Sequence, residues 1–323
     1  MLKTLNYVCA AAAAFIVHTH AYAGSYVIPS GECIGVKMYT DGLIVVGTTA
    51  VTDTAGRNVS PTDKSGIKKG DIVTAVNGTA AVSNEMLSEA VASAAGTVTL
   101  TVESDGKKRE VTLTPAETDS GPKLGLWLRD STAGLGTLTY TDGSHFAALG
   151  HAICDVDTGN IMPIERGIIQ NCTITSVKKR DAGSPGAVTG DIDGAELGSI
   201  TDNTELGIFG ELENEPEGEP VEVASASEVR TGEATILADV DGKGVTEYTI
   251  DIKRVTPPSS SGKDLVIEVT DPELIEKTGG IVQGMSGAPI LQNGKLAGAV
   301  THVFVNDPLS GYGVLAESMV NCE

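Results

Sequence analysis

From about residue 122 onward the chain is built of short apolar runs broken by turn residues: Leu135–Tyr140, Ile174–Val177, Ile208–Leu212, Glu233–Leu237, Tyr248–Ile252 and Leu265–Val269. That rhythm belongs to an all-β barrel or sandwich. Composition supports it, with 39 glycines for tight turns and only 4% aromatics, so that the cores must come from Val, Ile, Leu and Ala. The length of 323 residues accommodates two domains, and 41% hydrophobic residues exclude a disordered chain.

The first residues read as an export leader. Lys3 gives a positive start, Tyr7 to Val17 an apolar stretch, and Ala21-Tyr22-Ala23 a small-x-small cleavage site before Gly24. The stretch is short for a membrane span. The expectation is an exported protein, outside the cytoplasmic membrane, with a signal peptide over 1–23 and an entry segment over 24–34. The net charge of −21 argues against nucleic acid as a partner, because phosphate contacts need a basic surface. Beyond Cys9 in the leader, the cysteines are Cys33, Cys154, Cys172 and Cys322. None has metal-site spacing, so neither a metal nor another cofactor is expected. Export permits disulfides, and four cysteines allow three pairings, which the sequence leaves open.

Residues 35–117 form a first block. Gly35–Tyr39 and Leu43–Val46 read as strands around the turn Thr40-Asp41-Gly42. Asn84 to Ala95 reads as a helix with Ser83 as N-cap and Gly96 as its stop. Thr97–Glu103 and Lys108–Thr114 read as a hairpin around Ser104-Asp105-Gly106. With Ser65-Gly66-Ile67, Gly70-Asp71-Ile72-Val73 and Asn77-Gly78, the block resembles a PDZ domain of exported bacterial proteases. The resemblance implies that peptide termini bind by strand addition, and Ile34, Gly35, Val36 and Lys37 are the candidate receiving segment.

Chemistry concentrates in Gly284-Met285-Ser286-Gly287-Ala288-Pro289. A serine between glycines suits a nucleophile on a tight turn, with the N–H groups of Gly284 and Ser286 as an oxyanion hole. Such a serine needs a base. His151 ends the apolar strand-like run Phe146-Ala147-Ala148-Leu149-Gly150 and is the candidate; His145 starts the same run. Thr301, His302 and Val303 lie on the strand after the serine turn, where a chymotrypsin-like barrel walls its specificity pocket. For an orienting acid the residues leave Asp155, Asp157, Asp191, Asp193 and Asp271 open.

Two stretches, Ala148-Leu149-Gly150-His151 through Gly159 and Thr270-Asp271-Pro272-Glu273-Leu274 through Ile290 and on to Val314, resemble the SpoIVB peptidase family. The order of leader, PDZ domain and peptidase domain matches as well. The resemblance implies a mainly β chain, with an N-terminal PDZ domain followed by a chymotrypsin-like double β-barrel peptidase domain over 122–323. It carries the catalytic serine to Ser286, the histidine to His151 and the aspartate to Asp271, with Asp193 as alternative. It further implies a serine endopeptidase of sporulation signalling that cleaves itself. That enzyme would then cut a membrane-anchored regulatory protein between the mother-cell and forespore membranes, leading to activation of a late sigma factor. Two other readings stand beside it: a non-catalytic PDZ-containing binding protein, and a general exported quality-control protease.

Overall fold

The computed structural model describes residues 25–180, 186–192, 194–304 and 306–322. The leader at 1–23 and Asp193 lie outside the described residues. Each of the six apolar runs between Leu135 and Val269 lies within a strand; 233–237, 248–252 and 265–269 alternate more buried and less buried side chains, whereas 136–140 and 208–210 are buried at consecutive positions.

An entry strand, β1 (Tyr26–Pro29), precedes the PDZ portion, which begins with β2 (Cys33–Thr48) and continues into the ribbon β3 (Val51–Thr52) and β4 (Asn58–Val59). Next come β5 (Ile72–Val76), β6 (Thr79–Ala80), α1 (Asn84–Ala92) and the hairpin β7 (Val98–Ser104) and β8 (Lys107–Leu113). Ser83 caps α1 by accepting the Met86 N–H at 3.2 Å. Leu87 and Val91 drop from that helix onto Leu43, Val45, Val73, Leu100 and Val102. Buried Asp71 ties the domain together. It accepts from Ser104 Oγ at 2.7 Å and from the Lys68 N–H at 3.0 Å, and it pairs with Arg109 at 3.3 Å.

A short hairpin, β9 (Ala116–Thr118) and β10 (Gly121–Lys123), leads into β11 (Leu126–Asp142) and β12 (His145–Ala148). Strands β13 (Ile164–Asn171), β14 (Thr173–Lys178), β15 (Ala187–Asp191), β16 (Glu196–Thr204) and β17 (Gly207–Leu212) follow. The pairing β2–β13–β16–β17–β12–β11 returns to β2 and closes a first six-stranded ring around Ile34, Met38, Phe146, Ile169 and Ile208. After β18 (Val221–Glu222), a second closed barrel is made of β19 (Gly232–Ala238), β20 (Thr246–Val255), β21 (Leu265–Val269), β22 (Pro289–Gln292), β23 (Lys295–Val303) and β24 (Ser310–Leu315). Its core includes Ile236, Tyr248, Ile250, Ile267, Ile290 and Leu315. Helix α3 (Ala316–Val320) packs against β23 and β24, while α2 (Pro272–Thr278) buries Leu274 in the same core and touches β14. No helix among the described residues is long and apolar enough to cross a membrane.

Two expectations are corrected here. Thr40-Asp41-Gly42 does not reverse the chain. β2 runs straight through it because both halves are held by β11, and the extra residues form a bulge where the register slips between Arg129 and Ser131. Gly42 takes φ +89°, and a side chain there would meet Ile72 and Val73. The second correction concerns Ile34, Gly35, Val36 and Lys37. Each is paired on one side with β11 (Gly136, Leu135, Gly134, Ala133) and on the other with β13 (Asn171, Gln170, Ile169, Ile168). Strand addition needs a free edge. This segment has none, because the barrel uses both.

The opposite half of β2, Ile44 to Thr48, carries Leu126–Arg129 as its antiparallel neighbour. That linker also lies against α1: Asn84 Nδ2 donates to the Leu128 carbonyl at 3.3 Å, and the Asn84 N–H donates to Asp130 at 3.0 Å. Leu124 is buried in the PDZ core, with Leu126 and Leu128 packed against it. The chain's own linker therefore occupies the edge of this half of β2, and a cavity of about 820 Å³ remains between the linker and α1.

Candidate active site

Ser286 and His151 come from different barrels and line one cavity of about 450 Å³. Val36, Leu135, Leu149, Ala187, Val188 and Gly284 supply much of its wall.

His151 is delivered by the turn after β12. Leu149 (φ +69°) and Gly150 (φ +67°) are consecutive left-handed residues, an unusual backbone for a leucine. Packing holds it. The Leu149 N–H donates to the Thr137 carbonyl at 3.3 Å, and the Leu149 side chain fills the space over Gly136. Gly150 lies against Thr301 and Val314 of the second barrel, at 3.0–3.2 Å from a Cβ it does not carry. After the histidine, Asn203 secures the loop by accepting the Ile153 N–H at 2.8 Å and donating to the carbonyls of Ile153 and Met162 at 2.9 and 3.1 Å.

His151 Nδ1 bonds the Ala152 carbonyl at 2.8 Å. A carbonyl only accepts, so Nδ1 carries the hydrogen and Nε2 is left as the basic nitrogen. Burial lowers the His151 pKa below its usual 6.5, and the bond to Ala152 offsets this in part. The ring also faces His302, with centroids 4.9 Å apart and planes tilted by 40°. His302 is partly exposed, and desolvation of its ring, followed by His151 and the Lys263 charge, pushes its pKa down to about 4.

The serine turn is fixed from three sides. Thr137 donates its N–H to the Ser286 carbonyl at 2.9 Å and its hydroxyl to the Gly284 carbonyl at 2.8 Å. The Gln283 carbonyl accepts from the Val188 N–H at 2.8 Å, and the Met285 carbonyl from the Ala288 N–H at 3.0 Å. In a trans peptide the N–H points opposite its carbonyl. These two bonds therefore orient the N–H groups of Gly284 and Ser286, and neither has an acceptor among the described residues. Gly284 takes φ +101° and Gly287 φ +95°; a side chain at Gly287 would overlap Thr137 and Leu149. The Ser286 hydroxyl donates to the Thr301 carbonyl at 2.9 Å. Thr301 is itself buried, its hydroxyl donating to the Gly262 carbonyl at 3.2 Å.

Asp271 is not the partner of His151. It is the N-cap of α2, accepting from the N–H groups of Glu273 (2.9 Å), Leu274 (3.0 Å) and Thr249 (3.2 Å). Burial raises its pKa, but the bonds from Leu274, Thr249 and Glu273 outweigh it and hold the carboxyl below its ordinary value. The sequence carried the signal: Asp-Pro-Glu is an N-cap followed by proline at the first helical position. Asp155 and Asp157 are also taken, both by Arg129, at 2.6 and 2.7 Å. Asp191 ends β15 opposite Thr173. Among the described residues no carboxylate bonds His151. Thr301, His302 and Val303 follow the serine turn on β23, and none of them lines the cavity that Ser286 and His151 share. Thr137 and Asn203 were not found from sequence, since a threonine and an asparagine in strands carry no signal until their partners are known.

Two β-barrels that meet at a serine on a glycine turn and at a histidine from the other barrel define a serine peptidase of the double-barrel class. The chain belongs to the SpoIVB peptidase S55 family, whose profile matches residues 121–320, and a PDZ domain profile matches residues 34–114. Among solved structures, the active form of the Rv3671c protease from M. tuberculosis is 16% identical, covering 59% of this chain and 72% of that one with a TM-score of 0.34. The inactive form of the same protease is 16% identical, covering 58% and 81% with a TM-score of 0.32. Likeness this loose transfers no residue roles. No curated protein sequence matches the chain.

Proposed function

We propose that the chain cleaves peptide bonds with Ser286 as nucleophile and His151 as base. The observation that carries this reading is that Ser286, His151 and the unengaged N–H groups of Gly284 and Ser286 share one cavity. In the reaction the Ser286 hydroxyl leaves the Thr301 carbonyl and gives its proton to His151 Nε2 as the oxygen attacks the substrate carbonyl. The N–H groups of Gly284 and Ser286 hold the resulting oxyanion. His151 then returns the proton to the leaving amine, and water completes hydrolysis of the acyl-enzyme by the same path. The Ala152 carbonyl fixes the ring tautomer where a carboxylate would otherwise do so.

Family membership supports a narrower reading: an exported endopeptidase of sporulation signalling that cuts itself and then a membrane-anchored regulator, leading to late sigma-factor activation. Two loops, the acidic run that leaves β17 after Leu212 and ends at Pro220, and the exposed stretch from Pro257 up to buried Gly262, are the candidate self-cleavage sites. The PDZ domain, with its strand edge filled by residues 126–129, acts in this reading as a brace on the peptidase and does not capture peptide termini.

The test follows the full chain and its Ser286→Ala variant by mass over time, alone and with casein. Self-cleavage at a few sites, absent in the variant, supports the signalling reading. Broad digestion of casein supports quality control. Equal fragmentation of both proteins, or none under any condition, removes the catalytic reading.

A further inference from the structure

Cys33 opens β2, and Cys172 lies between β13 and β14. Ile34 is the pairing partner of Asn171 in the β2–β13 ladder, so the next step outward sets Cys33 against Cys172. Their sulfurs are 2.9 Å apart, and Cys172 Sγ also lies 3.3 Å from the Cys33 carbonyl. Both are half-buried, whereas Cys154 and Cys322 are exposed. Two thiols this close at facing positions of adjacent segments need to close less than about 1 Å to reach the S–S distance of a disulfide.

We propose that Cys33 and Cys172 are joined as a disulfide that clamps the β14–β15 hairpin to β2. The reaction takes two protons and two electrons from the thiols and needs a disulfide oxidant, of the glutathione or dithiol-oxidoreductase class. The Cys172 thiolate attacks the oxidant's disulfide and displaces one thiol. Cys33 then attacks the mixed disulfide at Cys172, forming the Cys33–Cys172 bond and releasing the second thiol. Their mutual hydrogen bond lowers the Cys172 pKa and raises that of Cys33.

The location gives the clamp a consequence. Cys172 is the root of the hairpin whose second strand holds the segment before the oxyanion turn: the Val188 N–H bonds the Gln283 carbonyl, and the Gln283 N–H bonds the Gly186 carbonyl at 3.0 Å. On its other side Cys33 is paired with Thr137, the residue that grips Gly284 and Ser286. A covalent link here fixes both supports of that turn to one another. The inference concerns the thiols and stands whether or not the peptidase reading holds.

The experiment treats the full chain, purified without reductant, with oxidised glutathione, then labels it with a maleimide under denaturing conditions and maps the peptides. The expected result is Cys33 and Cys172 unlabelled and recovered as one linked pair, both labelling after reduction. Quantitative labelling of either before reduction, or linkage to Cys154 or Cys322, overturns the proposal. Reduction should lower the thermal midpoint by roughly 5–10 °C in this protein and leave that of a Cys33→Ser/Cys172→Ser variant unchanged. A linked pair whose reduction moves no midpoint overturns the clamp.

Discussion

The Ser286 hydroxyl donates to the Thr301 carbonyl, 2.9 Å away, while the His151 ring is turned to the Ala152 carbonyl. The proposed nucleophile and base thus share a cavity with each bonded to a main-chain oxygen. A hydroxyl rotor moves between acceptors at little cost, and catalytic hydrogen bonds are commonly loose before substrate arrives. The resting arrangement therefore predicts how the parts fail when removed.

Ser286→Ala and His151→Ala should each lower kcat by about 10⁶-fold, and the double variant by no more than either alone, because the two act as one unit. Steady-state kinetics on a peptide substrate check this. Independent, multiplying losses would show that His151 is not the base for Ser286.

Asp271→Ala should act on stability and spare the chemistry. Loss of the cap of α2 costs about 1 kcal/mol, and kcat should fall less than 10-fold. An orienting carboxylate would cost about 10⁴-fold. Denaturant midpoints and kcat measured on the same preparation separate the two roles.

Thr137→Val removes the hydroxyl that grips the Gly284 carbonyl while keeping the side chain's shape. The oxyanion N–H groups lose one support, so kcat should fall by about 10-fold with KM little changed. A change confined to KM would place Thr137 in substrate binding.

Burial holds His151 below its usual 6.5, so the base stays neutral, and the acid limb of kcat/KM should lie below pH 6.5. The same shift affects stability. With the folded pKa depressed, the unfolded chain binds the proton more readily, so stability is lost as pH falls below 6.5 and regained as it rises. His302, held at about 4, acts in the same direction. Rate profiles and urea midpoints between about pH 4 and 8 check both signs.

The filled PDZ edge predicts a contrast within four residues of linker. Leu124 is 5% exposed in the PDZ core, and Leu124→Ala should cost about 2–4 kcal/mol. Trp127 is 62% exposed, and Trp127→Ala should change stability by less than about 0.5 kcal/mol. Equal small effects would mean that the linker detaches from the PDZ core in solution.

Sequence alone determined the strands, α1, the serine turn and the histidine at the end of an apolar run, because each is written in local periodicity and in residues with special backbone needs. Ser286, Gly284 and His151 were legible for that reason. Tertiary structure decided what depends on partners far along the chain. Ile34–Lys37 reads as an available strand until β11 and β13, about 100 and 130 residues away, close over both its edges. Asp271 reads as a catalytic acid until its carboxylate is found capping its own helix. Thr137, Asn203 and the Cys33–Cys172 contact are invisible in a string, since each takes its meaning from a neighbour that only the closed barrel brings within bonding distance.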